Sequence, residues 1–350
     1  MLRRLFQKPP TAPEVAASQV ESFDLFPRSA GRFVVPDWDL VAASLEKRLA
    51  NEDPHMLWSN VALHWLQVLR STLGDDHAIT TSDNFYLLAA VSPRDARVFT
   101  DYVEKSRSRI LRLLDGMASH EGYGRSCVIA FPDEDTYYQY IASYYPDEGE
   151  FAFSSGMYIN HGFGHFVCVR ADMRAIEPII VHELTHMLLS HLNIPAWLNE
   201  GLAVNTERIL SPPGGSLYMP HEWRDMHQAF WTADTIQEFW TGKSFTRADE
   251  GNLLSYDLAQ KLVTLLSHER DAFVRFVNEV DLRDSGQAAA LAHLGLGLET
   301  AAQLVLGEGN WRPDPTTWPL QLERGGFAPN TLRQTLCARH FAPELRDELV

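Results

Sequence analysis

Two histidines one helical turn apart, His182 and His186, lie in a stretch that is otherwise almost wholly apolar, and no other feature constrains the fold of this chain as tightly. On a helix, positions i and i+4 share a face, with Cβ atoms about 5–6 Å apart. Ile179, Ile180, Val181, Leu184, Met187, Leu188 and Leu192 make most of the remaining helix surface apolar, and a helix apolar nearly all round is buried. The imidazoles, with Glu183 beside them, therefore need partners, because unpaired polar groups are costly away from water. A metal meets that need. Two imidazoles at this spacing can bind one zinc ion (Zn2+), with Glu183 beside the open coordination position as a general base; the other reading is a metal-free buried polar helix that matches the pattern by accident.

The third ligand follows from the next break in the chain. Pro178 is placed to open the first helix. Asn193 and Pro195 end it after Leu192, and Pro195-Ala196-Trp197 starts a second. His186 lies six residues before that break, and Glu200 about five residues into the second helix. At 1.5 Å per residue these offsets are about 9 Å and roughly 7–8 Å. If the two helices fold back antiparallel, His186 and Glu200 come nearly level, which gives zinc a carboxylate ligand and leaves the fourth position for water.

The stretches Val181-His182-Glu183-Leu184-Thr185-His186 and Ala196-Trp197-Leu198-Asn199-Glu200-Gly201-Leu202-Ala203 resemble the gluzincin metallopeptidases. The stretch from Ala196 is similar to a segment of the aminopeptidase N-like enzymes, while the gap of thirteen residues between His186 and Glu200 is closer to the smaller bacterial peptidase MA-like proteins. The resemblance is strong over residues 179 to 203 and looser from about Phe85 to Gly309. It implies that His182, His186 and Glu200 bind zinc and that Glu183 is the base. Two departures matter. The aminopeptidases hold a free amino group with a glutamate on an edge strand, and the similar-looking Gly156-Met157-Tyr158-Ile159-Asn160 has none, which argues against aminopeptidase activity. The thermolysin-like families place an aspartate four residues after the ligand glutamate to orient a zinc histidine. Here that position is Val204, so Asn205 or Glu207 has to serve.

The rest of the chain sets the frame. At 350 residues it is long enough for one large or two modest domains. A net charge of −16 argues against nucleic-acid backbones as partners. Cys127, Cys168 and Cys337 lack metal-ligand spacing and read as thiols rather than a disulfide framework. No apolar run is long enough for a membrane span, and the basic start has no signal-peptide core, so the expectation is a cytoplasmic protein with no membrane partner.

Residues 1 to about 35 read as a loose tail, and Asp37 to Leu73 as helical, so residues 1–82 form an N-terminal segment. Phe85–Val91, a helix from Pro93 to about Gly116, Cys127–Phe131, a helix over Asp133–Tyr145, and a hairpin of Phe151–Tyr158 with Phe166–Arg170 give alternating strands and helices before the metal helices. That order suits the small mixed sheet of a zincin upper lobe over residues 83–210. One hairpin strand can take an extended peptide by strand addition; ordinary sheet is the other reading. The Pro212-Pro213-Gly214-Gly215 cluster opens a loop, after which helices at about Asp234–Trp240, Leu253–Ser267, Asp271–Val280, Gln287–Leu294 and Glu299–Leu306 form a helical lower lobe, 211–310. Trp311 to Pro315 starts a C-terminal extension, 311–350. The expected fold is α+β, a zincin-like two-lobe structure with zinc at the floor of a cleft.

Hydrolysis at such a centre needs a second stabiliser for the developing oxyanion. The resemblance puts a tyrosine at a downstream helix start, which falls on Tyr256, with a satisfied core tyrosine as the plain alternative. His221, His227 and His268 are rivals, and His161 and His165 flank the hairpin turn. His191, half a turn off the ligand face, is set aside. The expectation is a zinc metallopeptidase, endopeptidase-like, acting on a peptide or protein substrate. The alternative is a non-catalytic zinc-binding scaffold that holds a protein partner.

Overall fold

The structure is a computed structural model, and it describes residues 20–28, 31–120, 122–145, 156–170, 173–212 and 218–318. The chain forms two compact units that interleave along the sequence. One takes residues 1–105, 122–146 and 165–173; the other takes 106–121, 147–164 and 174–350. Each unit draws on segments far apart in the chain. The α+β expectation holds: a mixed sheet of five strands accompanies many helices.

In the first unit, Asp37 caps α1 (Trp38–Leu49) by accepting from the Leu40 amide, and Asp53 caps α2 (Pro54–Leu73) with proline in its first turn. Both caps satisfy amides that a helix start leaves unpaired. The strands β1 (Ala78–Thr81), β2 (Phe85–Ala89), β3 (Ser126–Phe131) and β5 (His165–Val169) lie side by side in the order β1-β2-β3-β5, while β4 (Gly156–Ile159) belongs to the second unit. β1 runs antiparallel to β2, with Ala78 opposite Ala89, whereas β2–β3 and β3–β5 are parallel, pairing Phe85 with Ser126 and Cys127 with His165. Every residue of β2 and β3 is buried, as expected for strands covered on both faces. The helix α3 (Pro93–Leu113) connects β2 to β3, and α4 (Glu134–Ala142), capped by Asp133, follows β3. Cys127 and Cys168 are buried; Cys337 lies outside the described residues.

Three expectations are corrected in this unit. Part of the predicted tail is packed: Leu25, Phe33 and Val35 are buried, Pro27 bridges Pro36, and the Phe33 ring meets Tyr140 edge-on at 5.4 Å. Isolated apolar residues among prolines carry no periodicity, so their burial was not legible; residues 1–19 lie outside the described set. β1 was missed because it is four residues long with one buried side chain, Ile79. His165 does not serve a site. It is fully buried on β5, its Nε2 2.8 Å from the Tyr140 hydroxyl and its ring 4.9 Å from that of Trp65.

The second unit is built of helices around Trp197. The helices α5 (Met173–Leu189), α6 (Ala196–Leu210), α7 (Pro220–Phe230), α8 (Thr235–Thr241), α9 (Glu250–Leu266), α10 (Arg270–Glu279), α11 (Gln287–Leu294, π-wound from Ala290) and α12 (Leu298–Leu306) follow in order. The buried Trp197 indole donates to the Ser285 hydroxyl at 3.0 Å, and that hydroxyl donates to the Trp240 carbonyl at 2.9 Å. α6 and α9 pack backbone against backbone at Gly201, where a Cβ would lie 2.6 Å from the Ala259 carbonyl oxygen. Asn205 and Gln260 fasten the same pair: the Asn205 amide donates to the Gln260 carbonyl, and the Gln260 amide donates to Asn205 Oδ1, both at 3.0 Å.

Pro178 does not open α5; it lies inside it. Met173 to Glu177 are ordinary helix formers, and buried Ile176 anchors that extra turn. Pro178 is the sixth residue of α5, beyond the first turn, so it omits one intrahelical hydrogen bond that the helix carries as a local cost. α5 also ends at Leu189, three residues earlier than expected. α7 was not anticipated, although Pro220 in its first turn and Glu222, whose carboxylate accepts from the Met219 amide, are helix-start signals. Residues 311–318 belong with the helices rather than to a separate extension: the Trp240 indole donates to the Trp311 carbonyl and the Trp318 indole to Gln237 Oε1, each at 2.9 Å. Residues 213–217 of the expected loop, the expected strand over 151–155 and residues 319–350 lie outside the described residues. Among the described residues, no single helix is long and apolar enough to cross a membrane.

Candidate metal centre

α5 and α6 bring His182, His186 and Glu200 together within the second unit. One nitrogen of each imidazole and one carboxylate oxygen all lie within 4.8 Å of one another, a group able to hold a metal ion. Glu200 Oε2 stands 3.3 Å from His182 Nε2 and 3.4 Å from His186 Nε2. Four ligands in a tetrahedron with bonds of about 2.0–2.1 Å stand about 3.3 Å apart, so these two separations suit such an ion. The hairpin geometry was legible: Glu200 is the fifth residue of α6 and comes level with the histidine face of α5.

Each outer nitrogen faces an oxygen. His182 Nδ1 lies 3.1 Å from Glu207 Oε2, and His186 Nδ1 lies 3.1 Å from Asn199 Oδ1. In the tautomer that places the proton on Nδ1, each ring donates to that oxygen. Each Nε2 then faces the Glu200 carboxylate with its lone pair, which is repulsive unless a cation lies between them. A metal ion supplies that charge, and without one, added protons must. Burial lowers the pKa of His182, but hydrogen bonds to Glu200 and Glu207 outweigh it and raise the imidazole to about 10. The same balance, burial against Glu200, raises His186. Burial lifts Glu200, yet the two histidines win and hold it well below the ordinary carboxylate range. The donor set, the two separations from Glu200 and the need for positive charge fit a metal ion.

Glu183 is separate from this triad. It is buried, its Oε2 accepts from the Tyr158 amide of β4 at 2.5 Å, and burial raises its pKa against the opposing pull of the histidines. Tyr256, on α9, has its ring centroid 6.4 Å from that of His182, and Phe245 packs edge-on against it at 5.2 Å. The Glu200 charge first, then burial, raises the Tyr256 hydroxyl well above its ordinary value, so it stays a donor.

The rivals sit elsewhere. His221 and His268 do not join the metal group. His227 is buried but committed: its Nε2 is 2.7 Å from Asp257 Oδ2, and its Nδ1 accepts from the Trp231 indole at 2.9 Å. His161 and His191 are part-buried and lie outside the metal group. Of the two candidates for orienting a metal histidine, Glu207 takes the role, while Asn205 is spent on joining α6 to α9. Asn199 was missed in that role. Its signal was position, one residue before Glu200 and so about 100° round the helix, on the flank that meets His186. The Tyr158 amide had no sequence signal, because every residue but proline carries one. No family model matches this chain, and no curated protein matches it.

Proposed function

We propose that this chain is a zinc-dependent metallopeptidase of zincin-like fold, endopeptidase-like, hydrolysing peptide bonds in peptides or exposed protein segments. The observation that carries the proposal is Glu183: a buried carboxylate between the two histidines in sequence, left out of the three-ligand group and fixed by a backbone amide. A purely structural metal site has no use for it. The resemblance of residues 179–203 to the gluzincins supports the same reading, as does a donor set of two imidazoles and one carboxylate, which suits zinc with one position open.

His182, His186 and Glu200 would hold the zinc ion, which would supply Lewis acidity toward a scissile carbonyl and toward water. Glu207 and Asn199 hold the two rings through their Nδ1 protons, so both Nε2 atoms stay aimed inward. Glu183 takes the proton of the attacking water and passes it to the leaving amine; burial, by raising its pKa, makes it a better base and an able acid. Tyr256, protonated throughout, donates its hydroxyl hydrogen to the oxyanion.

The test is Glu183→Gln, with zinc content, peptide affinity and cleavage of a mixed peptide library measured on the same preparations. We expect near-normal zinc, retained binding and a fall in hydrolysis of roughly 10²–10⁴-fold. Undiminished cleavage by the zinc-loaded variant would overturn the mechanism. Zinc binding with no hydrolysis in either form would make the chain a scaffold that holds a protein partner.

A further inference from the structure

Glu183 is reached by the backbone of β4 rather than by one of its side chains. Because the Tyr158 amide holds Oε2 at 2.5 Å, one carboxylate oxygen is committed and the direction of the other follows from it. The far end of the same residue meets a second backbone position. The Tyr158 ring is buried, and its hydroxyl has no hydrogen-bond partner among the described residues. It rests against Gly164, where a Cβ would meet the hydroxyl oxygen at 2.1 Å, Cζ at 2.9 Å and Cε2 at 3.4 Å. Gly164 is absent from the glycines of positive φ, so its backbone suits any residue and space alone demands glycine. A buried hydroxyl without a partner is costly; packing, not hydrogen bonding, keeps the ring in place.

We propose that Gly164 and the Tyr158 ring are a positioning pair: the bare Cα of Gly164 receives the ring, and the ring seats β4 so that the Tyr158 amide aims Glu183. The effect on turnover rests on the peptidase reading; the seating of the amide does not. A methyl group at 164 collides with a rigid, enclosed ring, which has to move and carry its own backbone with it. Removing the hydroxyl relieves the 2.1 Å collision and leaves the milder 2.9 Å approach of Cζ.

The experiment uses the full chain in four forms: wild type, Glu183→Ala, Gly164→Ala, and Gly164→Ala with Tyr158→Phe. Hydrogen exchange of peptides spanning residues 156–164 is followed on metal-free protein. We expect a protected amide in wild type, exchange about tenfold faster in Glu183→Ala and in Gly164→Ala, and protection regained in the double variant. In zinc-loaded protein, kcat for peptide cleavage should fall roughly 10- to 100-fold in Gly164→Ala, with KM and zinc content held, and recover in the double variant. A general packing defect would not be repaired by deleting a hydroxyl. Equal exchange in wild type and Glu183→Ala, or no recovery in the double variant, overturns the proposal. If Gly164→Ala does not fold, the first comparison and the folding of the double variant decide it. If no form cleaves peptide, the peptidase reading fails while the exchange data still judge the seating of the amide.

Discussion

Each imidazole of the candidate centre gives its Nδ1 proton to a different acceptor, and the two acceptors differ in strength. Glu207 is charged and Asn199 is neutral, so Glu207→Ala should weaken zinc binding by roughly 10–100-fold and Asn199→Ala by less, as read by competition with a chelating dye. Tyr256→Phe should leave zinc content and fold intact and lower kcat by about 10²–10³-fold, with little change in substrate affinity. The raised pKa of His182 links the site to pH in two ways. Zinc must displace protons, so its affinity should rise with pH, and calorimetry in buffers of different ionisation enthalpy should show proton release. In the metal-free protein the protonated His182 favours the folded state. That contribution is complete below the unfolded value of about 6.5 and disappears as pH rises through about 10; urea melts of metal-free protein should show it as a loss on the alkaline side. At this scale the sequence was readable wherever chemistry demanded a residue type at a spacing. His182, Glu183, His186 and Glu200 answer to helical periodicity and one break. Glu207 stood out as a carboxylate within reach, Asn199 hid inside the motif itself, and the Tyr158 amide is invisible in any sequence.

Among elements, the α6–α9 pair matters most, because it sets Glu200 on one helix against Tyr256 on the other. Gly201 permits that approach. Gly201→Ala should cost about 1–3 kcal/mol in a denaturant melt by overpacking and should also weaken zinc, since α6 carries a ligand. Val263 Cγ2 lies 2.6 Å from the added methyl position, so Val263→Ala should restore part of the loss, leaving the share owed to the Ala259 carbonyl. Long amphipathic or buried helices such as α2, α9 and α10 were legible from apolar periodicity. The failures have physical causes. β1 is too short to display alternation. α7 has a single buried residue, His227, and so offers no apolar stripe to recognise. The start of α5 was misplaced because a proline reads as a helix start, whereas Pro178 lies inside the helix.

For the molecule as a whole, removing the ion should be felt as lost stability. A ligand that binds only the folded state contributes about 2.7 kcal/mol when present at a hundred times its Kd, so chelation should lower the melting temperature of wild type but hardly that of His182→Ala. Interleaving of the two units was not readable, since nothing in local pattern says which distant segments pack together. Strand order has a consequence for biosynthesis. β5 lies beside β3 in the sheet yet leaves the ribosome some thirty-four residues after β3 ends. Until then β3, apolar on both faces, presents an open row of amides and carbonyls to any neighbouring nascent chain. A fragment ending at Pro146 should therefore self-associate, with light scattering that climbs with concentration, and one extended through Met173 should scatter less. During the interval between β3 and β5, the uncovered edge of β3 is the place where this polypeptide is most open to pairing with another chain.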